Sequence, residues 1–244
     1  MFATVDPWLL VLTVALLATV QSVFGVGLLV FGTPVLLLAG FPFPVILAYL
    51  LPCSLTISTL QVLTSGGFTL EPIRRQFLIF TAPAVVLATV VAVFFGSPEQ
   101  IGVAVGVMLL VTALLRLMPL GHTAISQFVT RYRPGLLVGL GVVHGLSNLG
   151  GGILTAIVSS SVEGKVSIRR HIAFCYGLMA SLQLVVVLVE RPPVNPALWV
   201  TLPVVAATVY LVVGQWLFLK AGAAVYQHAL TVLLGAFGTL LVTR

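Results

Sequence analysis

The chain has 244 residues, 60% hydrophobic and only 7% charged, with a formal charge of +6, whereas an ordinary globular chain carries about 25% charged residues. So few polar groups cannot cover a water-facing surface, which excludes a soluble domain. The positive charge does not indicate nucleic-acid binding, because the basic residues lie in short breaks between apolar runs and form no patch or reading motif.

Roughly 20 apolar residues span a bilayer core as a helix. The first apolar segment, 7–24, has no positive n-region before it and no A-x-A site, so it is read as a retained helix and not a signal peptide. Further segments follow at 28–40, 44–64, 77–96, 101–120, 136–149, 153–162, 171–190, 197–219 and 223–243. Cys53 and Cys175 fall inside two of them, which excludes a disulfide framework and a CxxC metal site. The expected fold is an all-α integral membrane protein.

Ten segments divide into two fives. Cys53 to Gln61 (CSLTISTLQ) lies over Cys175 to Gln183 (CYGLMASLQ) at an offset of 122, half the chain, with Thr59 over Ser181. Near that offset Gly25-Val26-Gly27 falls beside Gly150-Gly151-Gly152, and Gln21 beside His144. A shared offset and a repeated order of long and short segments indicate an internal duplication, 1–122 and 123–244. If every boundary switches sides, Arg74, Arg75, Arg131, Arg133, Lys165, Arg169, Arg170 and Lys220 fall on one face, while Asp6, Glu99, Glu190, Arg191 and Arg244 fall on the other. Lys and Arg mark the cytoplasmic side, so the loops at 68–76, 121–135 and 163–170 are expected inside and both termini outside. Five switches per half make the two repeats inverted, an architecture of many secondary transporters.

The segments at 136–149 and 153–162, with the glycine break between them, occupy 27 residues. That is too short for two crossings at about 1.5 Å rise per residue. They are expected to form a re-entrant hairpin, and 7–40 is its counterpart, although 7–24 is long enough to cross. Each half then comprises a short or broken helix pair plus three transmembrane helices.

Irregular backbone at membrane depth is tolerated only where protein buries it or where it lines a cavity. The helices after the breaks, starting near Leu28 and Ile153, would present their N-termini at mid-membrane, where free N–H groups favour an anion. The candidate substrate-binding residues are Gly25, Gly27, Gly150, Gly151 and Gly152, with Ser147, Asn148, Thr155 and Thr33 placed to cap the helix ends or donate to an oxyanion. Close helix packing by small residues is the competing reading of the glycines. His144 either contacts substrate or carries a proton, or else it is an interhelical hydrogen-bonding residue. Gln61 and Gln183 either line the cavity with Thr59 and Ser181 or join helices. Cys53 and Cys175, at matching positions, are soft contacts to a sulfur-containing substrate or small core hydrophobes. Arg169, Arg170 and His171 stand at a cytoplasmic mouth, where they attract anions or anchor the helix. Arg116 is placed to snorkel to the interface. There is no P-loop, HExxH, GxSxG or cluster of His and carboxylate ligands, so neither an enzyme nor a cofactor or metal is expected.

The stretches Gly25 to Phe41 (GVGLLVFGTPVLLLAGF) and Asn148 to Val162 (NLGGGILTAIVSSSV), each followed by a polar-dotted helix, resemble the duplicated core of the sulfite exporter TauE/SafE family. The resemblance implies export of small sulfur-containing anions, such as sulfite or organosulfonates, by a secondary transporter of the bacterial inner membrane. An anion channel and a membrane scaffold subunit of a larger assembly are the alternatives. The expected partners are a small anionic substrate, the lipid bilayer, a coupling ion (proton or sodium) and, as an open arrangement, a second copy in a homodimer. Nucleic acid is not among them.

Overall fold

The computed structural model describes residues 7–67, 72–117 and 122–220. They form ten α-helices in chain order: α1 (Pro7–Phe24), α2 (Leu28–Leu38), α3 (Phe43–Thr64), α4 (Pro72–Phe95), α5 (Pro98–Leu117), α6 (His122–Ser147), α7 (Gly151–Ser159), α8 (Lys165–Glu190), α9 (Pro196–Val209) and α10 (Gln215–Lys220), with a π-helical turn at Tyr210–Gly214 before α10. The segment expected at 223–243, together with Asp6, Arg244 and the side chain of Arg116, lies outside the described residues.

Five of these helical stretches are long and apolar enough to cross a membrane, Pro7–Phe24, Phe43–Thr64, Arg74–Phe95, Lys165–Glu190 and Pro196–Lys220. Large apolar side chains stand outward on them, including Trp8, Leu12 and Leu16 on α1, Leu87 and Val91 on α4, and Val185 and Val189 on α8. In water such a surface would be an aggregation patch; against lipid it is solvated. The protein therefore has the all-α architecture of a multi-pass membrane protein. The short helices differ: α2 has 11 residues and α7 has nine, lengths of only about 14–17 Å against a hydrocarbon core of about 30 Å.

Proline sets several boundaries. Pro42, extended at φ −62° and ψ 142°, precedes α3, and Pro196 opens α9 behind Asn195, whose side chain accepts from the Ala197 and Leu198 amides. Pro134 lies inside α6, where Tyr132 leaves helical geometry at φ −111° and ψ 18°, because a proline ring collides with the preceding turn and supplies no N–H to it. This corrects the loop expected at 121–135, since residues 122–131 are helical and the break is confined to the bend around Tyr132.

The helix starts recur at a near-constant spacing. Leu28 and Gly151 open α2 and α7, Phe43 and Lys165 open α3 and α8, and Pro72 and Pro196 open α4 and α9, the second of each pair lying 122 to 124 residues after the first. The packing exchanges between halves: α4 lies on α6 and α8, α9 lies on α1 and α3, and α3 and α8 form the central pair. On α6, Gly141 and Gly145 make the α4 contact close, because a Cβ at Gly141 would sit 2.7 Å from Ala84 Cβ and one at Gly145 would sit 2.6 Å from Ala88 Cβ. Small residues at such spacing are the usual means of close helix approach in lipid, and Thr81 adds a bond to the Leu137 carbonyl at 2.9 Å.

Candidate functional site

The two glycine breaks meet. A Cβ on Gly151 would lie 3.0 Å from Val30 Cγ2 and 3.2 Å from Val26 Cβ, so the start of α7 rests on the α1–α2 break and the first turn of α2. Asn148 Nδ2 donates to Thr33 Oγ1 at 2.9 Å, joining the second break to α2.

A buried polar layer surrounds this contact. In the first half, Gln21 Nε2 donates to the Ser54 carbonyl at 3.0 Å, to Ser54 Oγ at 3.1 Å and to Ser58 Oγ at 3.2 Å. Gln61 Nε2 donates to the carbonyls of Gln21 at 2.9 Å and Ser22 at 3.0 Å. In the second half, Gln183 Nε2 donates to the His144 carbonyl at 3.4 Å and to Asn148 Oδ1 at 2.9 Å. The two glutamines thus both donate to carbonyls in the last turns of α1 and α6, where the Gln21 and His144 carbonyls also accept the Gly25 and Asn148 amides at 2.8 Å. The Oε1 atoms of both glutamines are buried and accept no hydrogen bond among the described residues.

The halves differ at the next position. Where Gln21 is satisfied by Ser54, His144 instead stands edge-on to the Tyr176 ring, centroids 5.3 Å apart. Both imidazole nitrogens of His144 are buried and neither makes a hydrogen bond of full geometry among the described residues, although the Gln183 side chain stands beside the ring, and a Cβ on Gly150 would lie 3.1 Å from its Nδ1. The imidazole therefore lies against the residue that precedes α7.

Several sequence expectations are corrected here. Ser147, Asn148, Thr155 and Thr33 cap neither short helix: α2 behind Gly27 and α7 behind Gly150 both lack a side-chain cap. Ser147 Oγ donates to the Val143 carbonyl at 2.6 Å, and Thr155 Oγ1 to the Gly151 carbonyl at 2.8 Å. The run Gly150–Gly151–Gly152 is not needed for an unusual backbone angle, since Gly150 sits at φ −64°. The left-handed residue of the second break is Asn148, at φ 64°, while the first break uses Gly25 at 77° and Gly27 at 146°. Asparagine is among the few non-glycine residues that tolerate this region. Thr59 is exposed and Ser181 bonds its own helix at the Leu178 carbonyl, so neither accompanies its glutamine into the polar layer. Cys53 and Cys175 are buried in the apolar core, and the Cys53 thiol donates to the Tyr49 carbonyl at 3.2 Å. Arg74 and Arg169 are buried and stack on Phe174 and Phe218, so they are not simple interfacial anchors.

Sequence reasoning missed Ser54, Ser58 and Tyr176. The first two were detectable in principle, because Ser54, Ser58 and Gln61 recur at spacings of four and three, one polar stripe on an apolar helix. Tyr176 stands 122 residues after Ser54.

The chain is defined by this fold and polar layer as a multi-pass α-helical membrane protein. No family model matches it, and neither does any curated protein or solved structure at a significant level.

Proposed function

We propose that the protein is a secondary transporter of a small anion, built from two inverted repeats, with the anion held where the two breaks meet. The observation that carries this reading is the pair of uncapped, buried short-helix starts at Gly27–Leu28 and Gly150–Gly151, the second of them against the buried His144 imidazole. Helix starts present unpaired N–H groups and a partial positive charge, and burial in lipid makes such groups costly unless a ligand or partner meets them. His144 supplies either a donor or an acceptor to the same place, and the glutamine Oε1 atoms supply acceptors for a protonated ligand or a coupling cation. The inverted arrangement is supported by the recurring helix starts, the exchanged packing and the segregation of basic loops.

Substrate class follows the resemblance to sulfite exporters: sulfite and short organosulfonates, moved outward across a bacterial inner membrane and driven by an ion gradient. A carrier is favoured over a channel by one contact. Gly151 rests on Val26 and Val30, and Gln21, Gln61, His144, Asn148 and Gln183 are closed to solvent, so the site is occluded and requires a conformational change to load and empty. The purified chain in liposomes should give saturable sulfite flux that responds to a proton or sodium gradient. Absence of flux by the chain alone would favour a scaffold, and non-saturable flux a channel.

A further inference from the structure

Basic side chains near helix ends in membrane proteins ordinarily reach out to the interface. Arg169, in the second turn of α8, is only 3% exposed. Its guanidinium donates to Gln215 Oε1 at 3.0 Å, Ser65 Oγ at 3.3 Å and the Ser22 carbonyl at 3.4 Å, and it stacks 3.4 Å from the centre of the Phe218 ring. All these partners are neutral, and the Nε–H is buried with no acceptor among the described residues. Lys165 sits over the same ring at 4.4 Å and donates to the Phe218 carbonyl, so two cations share one aromatic group. A buried charge held only by neutral groups is expensive, and within a membrane bundle such charges mark ion pathways.

The surroundings are built around this guanidinium. The π-helical turn Tyr210–Gly214 leads directly into Gln215, whose Oε1 also accepts from Tyr210 Oη at 3.3 Å, and π-helical insertions are frequent at functional sites. Gly214 packs against Ser22, whose carbonyl serves both Arg169 and Gln61. A Cβ on Gly25 would lie 3.6 Å from the Arg169 carbonyl. Arg169 therefore borders the first break from the end of the bundle that carries Lys165 and Arg170.

We propose that Arg169 forms a second anion-binding station, where a small oxyanion of the sulfite or sulfonate type accepts the free Nε–H before entering the site between the breaks. The proposal rests on the anion-carrier reading. Glutamine at this position keeps a polar amide near the guanidinium but removes the charge and the reach to Ser65 and Ser22. In full-length protein, sulfite binding to folded Arg169→Gln should weaken at least tenfold, and Arg169→Lys should fall between the two. Wild-type affinity in folded Arg169→Gln overturns the proposal. If that variant does not fold, wild-type crystals soaked in selenite decide: anomalous density beside Arg169 Nε supports it. Density only at the breaks overturns the second station and leaves the carrier reading standing, and density at neither place overturns both.

Discussion

Asn148 Nδ2 lies 2.9 Å from Thr33 Oγ1, while Asn148 Oδ1 accepts from Gln183 Nε2 at the same distance. One side chain in left-handed backbone thus joins α2, α6 and α8. Asn148→Asp tests its surroundings cleanly, because aspartate also tolerates positive φ, Gln183 still donates to it, and the Thr33 hydroxyl can turn to donate. The variant should fold, yet bind sulfite at least tenfold more weakly, since a like charge is poorly screened there. Wild-type affinity in folded Asn148→Asp would sink the anion site.

His144→Phe keeps the ring contact with Tyr176 and removes both nitrogens. Stability should fall only modestly, because neither nitrogen makes a hydrogen bond of full geometry and only the neighbouring Gln183 side chain loses a contact. Transport in liposomes should fall by an order of magnitude or more. An unchanged rate would make His144 a packing residue.

The glycines of the second break separate by what surrounds them. A Cβ at Gly150 would come within 2.7 Å of His144 Cβ, whereas one at Gly152 meets only Thr112 Cγ2 at 3.5 Å. Gly150→Ala should lower the thermal midpoint, and Gly152→Ala should leave it near wild type while weakening sulfite binding, since the added methyl stands beside first-turn amides. Equal stability loss in both variants would contradict the packing described here.

Gln61→Leu and Gln183→Leu remove donors from carbonyls in the last turns of α1 and α6. Leaving a buried acceptor unmet costs about 1–3 kcal/mol, although single bonds between membrane helices average about 0.6 kcal/mol. Gln183→Leu should be the more destabilising, because Asn148 Oδ1 loses the donor it has at 2.9 Å, whereas the two carbonyls that Gln61 serves keep the Gly25 amide and the Arg169 guanidinium. Thermal denaturation in detergent measures the order.

Topology is open to direct labelling. A single cysteine at position 164, in the exposed turn before α8, should resist impermeant reagents applied to intact cells, and one at 97, in the α4–α5 turn, should react. The reverse pattern would invert the orientation, and equal labelling of both would remove the support that the loop charges lend to inverted repeats.

Membrane class, the short helices and the breaks were legible in the sequence because they depend on local properties. Hydropathy over a span length marks a crossing, and a glycine break beside an apolar run too short to cross marks an interruption; α1 begins and ends where the first apolar run does, but the run read at 136–149 is only the end of the 26-residue α6 and not a half-helix. The offset of 122 was readable from paired residues such as Gln61 and Gln183 for the same reason. Which polar atoms are satisfied was decided only by tertiary structure, since that depends on how each helix is rotated against partners far away in the chain. Gln21 finds Ser54 and Ser58 whereas His144 finds an aromatic ring, although the two occupy related positions. Arg169 reads as an anchor in a basic loop, but α8 begins earlier than the apolar run and turns that side chain inward onto Phe218 and Gln215. Burial of a charge is a property of the assembled bundle, and no local pattern in the chain encodes it.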